Sequence, residues 1–141
     1  MTNGPREITI GSDIAEIPKV STWLEEAMQQ NGFSDEETLD TQLAVEEAVT
    51  NVIVHGYKTT GGIVAISLRF VSGDMHITIT DSALPFNPLS LPDPDVEADV
   101  NERRIGGLGV YLIRQVMDDI EYQFVDGKNI LSLTKKRTPP A

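Results

Sequence analysis

In the run VEEAVTNVIVHGY, residues 45 to 57, a carboxylate at Glu47 and an amide at Asn51 interrupt an otherwise apolar pattern. At about 3.6 residues per turn, positions four apart lie one above the other, so a helix would present both side chains on one face. Leu43, Ala44 and Val54 fall on that side and Val45, Ala48, Val49, Val52 and Ile53 on the other, so the helix reads as covered nearly all round. A carboxylate and an amide in such surroundings cost free energy unless something pairs with them. Two other stretches could supply the pairing. In MHITITD, Asp81 follows Ile79 by two and continues the apolar face of a strand, and the glycines of GGLG, residues 106 to 109, open a helix.

Each feature alone has an ordinary explanation: a helical pair, the start of a turn at Asp81 and Ser82, a tight glycine turn. Their order along the chain points instead to one site. Backbone amides at Gly106, Gly107 and Gly109, at the positive end of a helix, can approach phosphates closely because no β-carbon obstructs them. Asn51 offers a neutral oxygen to a hard cation such as magnesium, which binds through phosphates, waters and few protein groups. Asp81, ionised and acceptor-only, suits the exocyclic amine of adenine at the dry end of a pocket.

The elements that must hold these residues follow from pattern. EITIGS reads as a short edge strand, after which Ser12 or Asp13 caps a helix running to about Gln30 through Ile14, Ile17, Val20, Leu24 and Met28. NGF stops it. A second helix starts near Ser34, where SDEE matches the capping-box pattern, and ends near HGY. GGIVAISLRFVSGDMHITITD is a hairpin, with Val64, Ile66, Leu68 and Phe70 on one face of its first strand and Met75, Ile77 and Ile79 on one face of its second. From about residue 82 to 106 no period is visible and prolines alternate with acids, the composition of a lid or binding loop. A third helix runs through Val110, Ile113, Val116 and Met117, and IEYQFVDGKNILSLTKK forms two closing strands around DGKN. The tail RTPPA, residues 137 to 141, reads as frayed. Strands with one apolar face and three helices to cover it predict an α+β, two-layer α/β sandwich, mostly antiparallel, with the opposite sheet face wet.

With 141 residues the chain reads as a single domain, 1 to 141. The absence of cysteine excludes disulfides and zinc-thiolate sites, and no apolar run approaches a membrane span, so the expected location is cytoplasmic. A net charge of −11 argues against direct nucleic-acid binding and suits a basic protein partner. Trp23 reads as core, while His55 at a helix end and His76 facing outward on a strand read as structural. KKR, residues 135 to 137, reads as a solvated strand end.

Taken in order, these motifs resemble the Bergerat-fold ATPase superfamily of gyrase B, MutL, heat-shock chaperones and histidine-kinase catalytic domains. LAVEEAVTNVIVHGY and GGLGVYLIRQVMD are especially similar to the bacterial anti-sigma-factor serine/threonine kinases of partner-switching systems, over about residues 8 to 136. The resemblance implies ATP and Mg2+ as cofactors, Glu47 as general base toward an attacking hydroxyl, Asn51 as the magnesium ligand and Asp81 as the adenine reader. It places Gly106, Gly107, Leu108 and Gly109 at the phosphates, Ala83 and Phe86 among the nucleotide contacts, and Arg103 or Arg104 toward the terminal phosphate. Its implied partners are a small anti-anti-sigma antagonist protein, as the phosphorylated substrate, and a sigma factor held inactive; a homodimer is also implied. One departure stands out: where the family often has Asp-x-Gly-x-Gly, this chain reads DSALPF, with Ala83 and Pro85 in the glycine places. Pro85 stiffens the start of the lid, and the change motivates a rival reading as an ATP-gated binding regulator that transfers no phosphate. A histidine-kinase function is disfavoured because no dimerising two-helix phosphoacceptor segment is present.

Overall fold

The structure, a computed structural model, describes residues 6–57, 61–85, 87 and 107–138, and the side chains of all of these except residues 107–111. Strand β1 (Arg6–Gly11) leads through a short 3-10 turn into helix α1 (Ile17–Gln30), followed by α2 (Asp35–Asn51) and a π-helical turn (Val52–Tyr57). Then come β2 (Ile63–Val71), β3 (Asp74–Asp81), α3 (Gly107–Val116), β4 (Asp119–Val125) and β5 (Lys128–Lys135). The five strands form one sheet in the order β1-β2-β3-β5-β4 with every neighbouring pair antiparallel. β3 is therefore central, and the closing hairpin folds back so that β5 lies beside it.

Both hairpin loops have two residues with positive φ, Ser72 and Gly73 in one and Asp126 and Gly127 in the other. This is the type I′ geometry whose twist matches that of the flanking strands, so the turns set the register. Alternation then sends Val64, Ile66 and Leu68 of β2, Met75, Ile77 and Ile79 of β3, and Leu131 and Leu133 of β5 to one buried face. Val20, Leu24, Ala27 and Met28 of α1, Ala44, Val45, Ala48 and Val49 of α2, and Ile113 of α3 complete the core against them. Each large side chain so buried contributes roughly 1.5–3 kcal/mol relative to exposure. Trp23 is half-buried and packs on the edge of this core. The opposite sheet face carries Ser67, Thr78, Thr80, Ser132 and Thr134, and His76 meets the Thr134 hydroxyl there.

Several sequence expectations change in detail. Asp13, not Ser12, caps the first helical turn, its carboxylate accepting from Ala15 N–H at 2.9 Å, while Ser12 Oγ accepts from Gly62 N–H at 3.0 Å and closes β1 onto the start of β2. Ile14 lies in that 3-10 turn, off the stripe of α1, and is 54% exposed. The α-helical part of α2 ends at Asn51, earlier than expected, and the wider π-turn carries the chain on to Tyr57. Nor is α2 covered all round. It lies between α1 and α3 over the sheet, so its outward side stays open and Leu43 and Val54 are 37% and 43% exposed.

Of the tail expected to fray, Arg137 and Thr138 are tied down, while residues 139–141 lie outside the described residues. Thr138 donates through N–H and hydroxyl to Glu37 Oε2 at 2.8 and 3.0 Å, and Arg137 donates to the Asn31 carbonyl at 3.4 Å. Glu37 is also the third-position partner of the capping box that Ser34 begins. Burial works to raise the Glu37 pKa, but hydrogen bonds from the backbone and hydroxyls of Ser34 and Thr138 outweigh it and hold the carboxyl below its ordinary value. Lys135 belongs to the fold rather than to solvent, donating to the Val116 carbonyl at the end of α3 at 2.6 Å.

Candidate functional site

Asp81 ends β3 on its apolar face, opposite Asn129 of β5, and both are 5% exposed. A buried carboxylate must be satisfied, and here one oxygen is. Oδ1 accepts from Ala83 N–H at 2.9 Å, a turn the Asp side chain builds on its own backbone, and from Asn129 Nδ2 at 2.9 Å. The same amide group reaches the carbonyls of Ala83 and Leu84, each at 3.2 Å, and the Tyr122 hydroxyl donates to Asn129 Oδ1. Oδ2 of Asp81 receives no donor among the described residues.

Asp81 lines a pocket of about 40 Å³ together with Ala48, Asn51 and Val52 from the second helical segment, Ile79 from β3, Ile113 from α3, and Tyr122, Asn129 and Leu131 from the closing hairpin. The volume suffices for about three water-sized groups. Its walls are mainly apolar, so a planar ring with an amine at its leading edge meets the chemistry of this lining: apolar faces and one unfilled acceptor. Asn51 opens on the same pocket, half-buried and with no hydrogen bond among the described residues. Glu47 lies one turn earlier on α2, half-buried and likewise without a hydrogen bond or ion pair there, and it does not line the pocket.

Gly107, Leu108 and Gly109 form the start of α3. The first amides of a helix have no intrahelical acceptor and sit at its positive end. Gly106, Arg103, Arg104 and Phe86, with most of the expected lid 82–106, lie outside the described residues. Ala83 stands beside the pocket rather than in it. Its N–H and carbonyl are used by Asp81 and Asn129, and a β-carbon built on Gly56 would come within 3.0 Å of its methyl group. An alanine thus fits at this place because the residue facing it is glycine.

The chemistry of the residues present fits the amine edge of a base with a cation beside it. Among the described residues Asp81 Oδ2 is a buried acceptor without a donor, and Asn51 is an uncommitted carboxamide on the same lining as Asp81. Among the described residues no three His, Cys, Asp or Glu side chains gather as a metal cage, so an ion at Asn51 would take most of its shell from phosphate and water.

Three residues of this region escaped the sequence reading. Asn129 and Tyr122 complete the Asp81 network, and the Tyr57 hydroxyl accepts from Ser82 N–H at 2.8 Å while donating to the Ile63 carbonyl at 2.7 Å. Tyr57 reaches both because Gly62 leaves room for its ring, which a β-carbon would approach to 2.4 Å. Asn129 carried a readable signal: with Leu131 and Leu133 it alternates on the inward face of β5, the same logic that singled out Asp81. It was hidden by assigning DGKN to a turn.

The family model described as the histidine kinase-like ATPase domain matches residues 10–135. The serine-protein kinase RsbW of Bacillus mycoides (strain KBAB4) is 31% identical over 104 residues, covering 71% of this chain and 65% of that protein. The serine-protein kinase RsbW of Bacillus cereus (strain AH187) is 32% identical over 106 residues, covering 72% and 66% respectively. The chain therefore spans just under two thirds of the length of these relatives. A crystal structure of the RsbU and RsbW domains of Rv1364c from Mycobacterium tuberculosis superposes with a TM-score of 0.71 at 18% identity, over 99% of this chain and 34% of that one.

Proposed function

We propose, from the premise that this chain belongs to the histidine kinase-like ATPase domain family, that it is an ATP-dependent protein serine/threonine kinase acting in a partner switch. In this reading it phosphorylates a small anti-anti-sigma antagonist and otherwise holds a sigma factor inactive, thereby regulating transcription. The similarity to proteins named serine-protein kinase RsbW supports the kinase part. The observation that carries the reading is that the open oxygen of Asp81 and the uncommitted amide of Asn51 line one apolar pocket.

The residues divide the work as their surroundings dictate. Asp81 Oδ2 accepts from the adenine amine while Val52, Ile79, Ile113 and Leu131 hold the faces of the ring. The first amides of α3, from Gly107 to Gly109, face phosphate, as would Arg103 or Arg104. Asn51 would hold magnesium, which would supply charge neutralisation at the phosphate oxygens. Glu47 takes the proton from the acceptor hydroxyl as that oxygen bonds to the γ-phosphorus and the bond to the β–γ bridging oxygen breaks, its electron pair leaving with ADP. Incubation with γ-labelled ATP, magnesium and the antagonist encoded beside this gene tests the assignment. Label is expected on a serine or threonine of the antagonist, and its absence with the wild-type protein would count against the enzyme.

Ala83 favours a second reading, an ATP-gated regulator that changes partners without transferring phosphate. Its backbone is spent on Asp81 and Asn129 where the family often has glycine free for the nucleotide. Glu47→Ala separates the two: a pure binder keeps its partner switching, whereas a kinase-driven switch loses it.

A further inference from the structure

We infer that Asn129 and Tyr122 are positioning residues that set base selectivity, by holding Asp81 with one oxygen open as an acceptor while their own donors are committed within the protein. This rests on the nucleotide reading above but adds to it two residues that do not themselves have to touch the base. Asp81 Oδ1 is filled by Asn129 Nδ2 and Ala83 N–H, both at 2.9 Å, so only Oδ2 remains for a ligand. Asn129 carries two amide protons. One lies on Asp81, and the other lies between the carbonyls of Ala83 and Leu84 at 3.2 Å. The orientation of that amide follows from the three acceptors around its NH2, since turned over it would set its oxygen against Asp81 Oδ1 and the two carbonyls; the Tyr122 hydroxyl donates to Asn129 Oδ1 and anchors the oxygen side.

The consequence is chemical. Tyr122, Asn129 and Asp81 line the same pocket, yet the hydroxyl proton and both amide protons are committed within the protein. A base that offers an amine at its leading edge finds Oδ2 as acceptor. A base with a carbonyl at that place meets a carboxylate oxygen, with the Asn129 and Tyr122 protons already committed elsewhere. Asn129 also ties Asp81 to the turn at residues 83 and 84, so the carboxylate cannot rotate to present its occupied oxygen without breaking that turn. The selected class is thus an amine-bearing nucleobase, and the selecting charge is held in place from β4 and β5, opposite in the sheet to the helix that carries Asn51 and Glu47.

Calorimetric titration with magnesium ATP and with magnesium inosine triphosphate, which carries a carbonyl where ATP has its amine, tests this. The wild-type protein is expected to prefer ATP by about tenfold or more. Asn129→Asp takes the amide protons from Asp81 Oδ1 and from the two turn carbonyls and sets a second carboxylate against Asp81, so Asp81 is no longer held with one oxygen filled and one open and the preference should fall to near unity. Tyr122→Phe removes only the hydroxyl that anchors the oxygen side of the amide and should lower the preference by a smaller factor. Folding of each variant is checked by circular dichroism, and if Asn129→Asp fails to fold, the Tyr122→Phe ratio decides. Folded variants that keep the wild-type ratio would overturn the inference, as would a wild-type protein that binds both nucleotides equally. A wild-type protein that binds neither would overturn the functional reading itself, and this inference with it.

Discussion

The Asp81 end of the pocket and the Glu47 to Asn51 turn of α2 are both polar features set among apolar residues, yet they are built on opposite terms. Around Asp81 the donors of three described neighbours are committed: Ala83 N–H, both protons of the Asn129 amide and the Tyr122 hydroxyl. On α2, Glu47 and Asn51 have no hydrogen bond or ion pair among the described residues. Burial accounts for the difference. A carboxylate 5% exposed must be paired inside the protein, whereas half-exposed groups can be left to water until a ligand replaces it. A preorganised end suits recognition of a rigid base, and an uncommitted end suits groups that act only on phosphate, metal and an incoming hydroxyl.

The contrast can be broken at its open end first. Glu47→Ala should lower phosphoryl transfer by about 10²-fold or more while leaving ATP affinity unchanged. A parallel loss of affinity in calorimetry would make Glu47 a binding contact instead of a base. At the closed end, Asp81→Asn should weaken ATP binding by about 10²-fold, the loss of a buried charged acceptor, and undiminished affinity would contradict its role as base reader.

Stability sharpens the same comparison. Asn129→Ala strips a donor from a buried carboxylate and from two turn carbonyls and should cost about 1–3 kcal/mol in urea unfolding. Asn51→Ala removes a side chain with no partner and should change stability by less than about 0.5 kcal/mol. Equal costs would mean that the two regions do not differ as described.

The smallest effect lies away from the pocket, at Glu37. Its folded-state pKa lies below the ordinary carboxyl value, so the group adds stability that is complete above about pH 4.3, the unfolded value, and is lost as the pH falls through the lower folded value. Glu37→Gln should therefore flatten the acid limb of a plot of stability against pH while costing little near neutrality. Ser34→Ala, which removes the hydroxyl that accepts from Glu37 N–H, should cost about 1 kcal/mol near neutrality and less in acid, where the support it gives to the Glu37 carboxylate is lost.

Much of this molecule was legible as pattern. The two-residue alternation of β2 and β3 gave both the core face and the inward position of Asp81, because a strand sends every second side chain the same way. The capping box at Ser34 and Glu37 was visible because it is a contact between residues three apart. Asn129, Tyr122 and Tyr57 were not visible, since their partners lie 48, 7 and 25 residues away and spacing carries no information about such contacts. The coverage of α2 was misjudged for a related reason: a helical pattern states which residues share a side, but only the placement of α1 and α3 states which sides are covered.

The sequence by itself determined the elements, their order and the residue types able to bind nucleotide, because those depend on backbone preference and local periodicity. Tertiary structure alone decided that β5 returns beside β3, which puts Asn129 against Asp81 and leaves one carboxylate oxygen for a ligand. That outcome depends on hydrogen bonds between distant segments in a place closed to water. Such bonds form only once the sheet has assembled, and no local stretch of the chain encodes them.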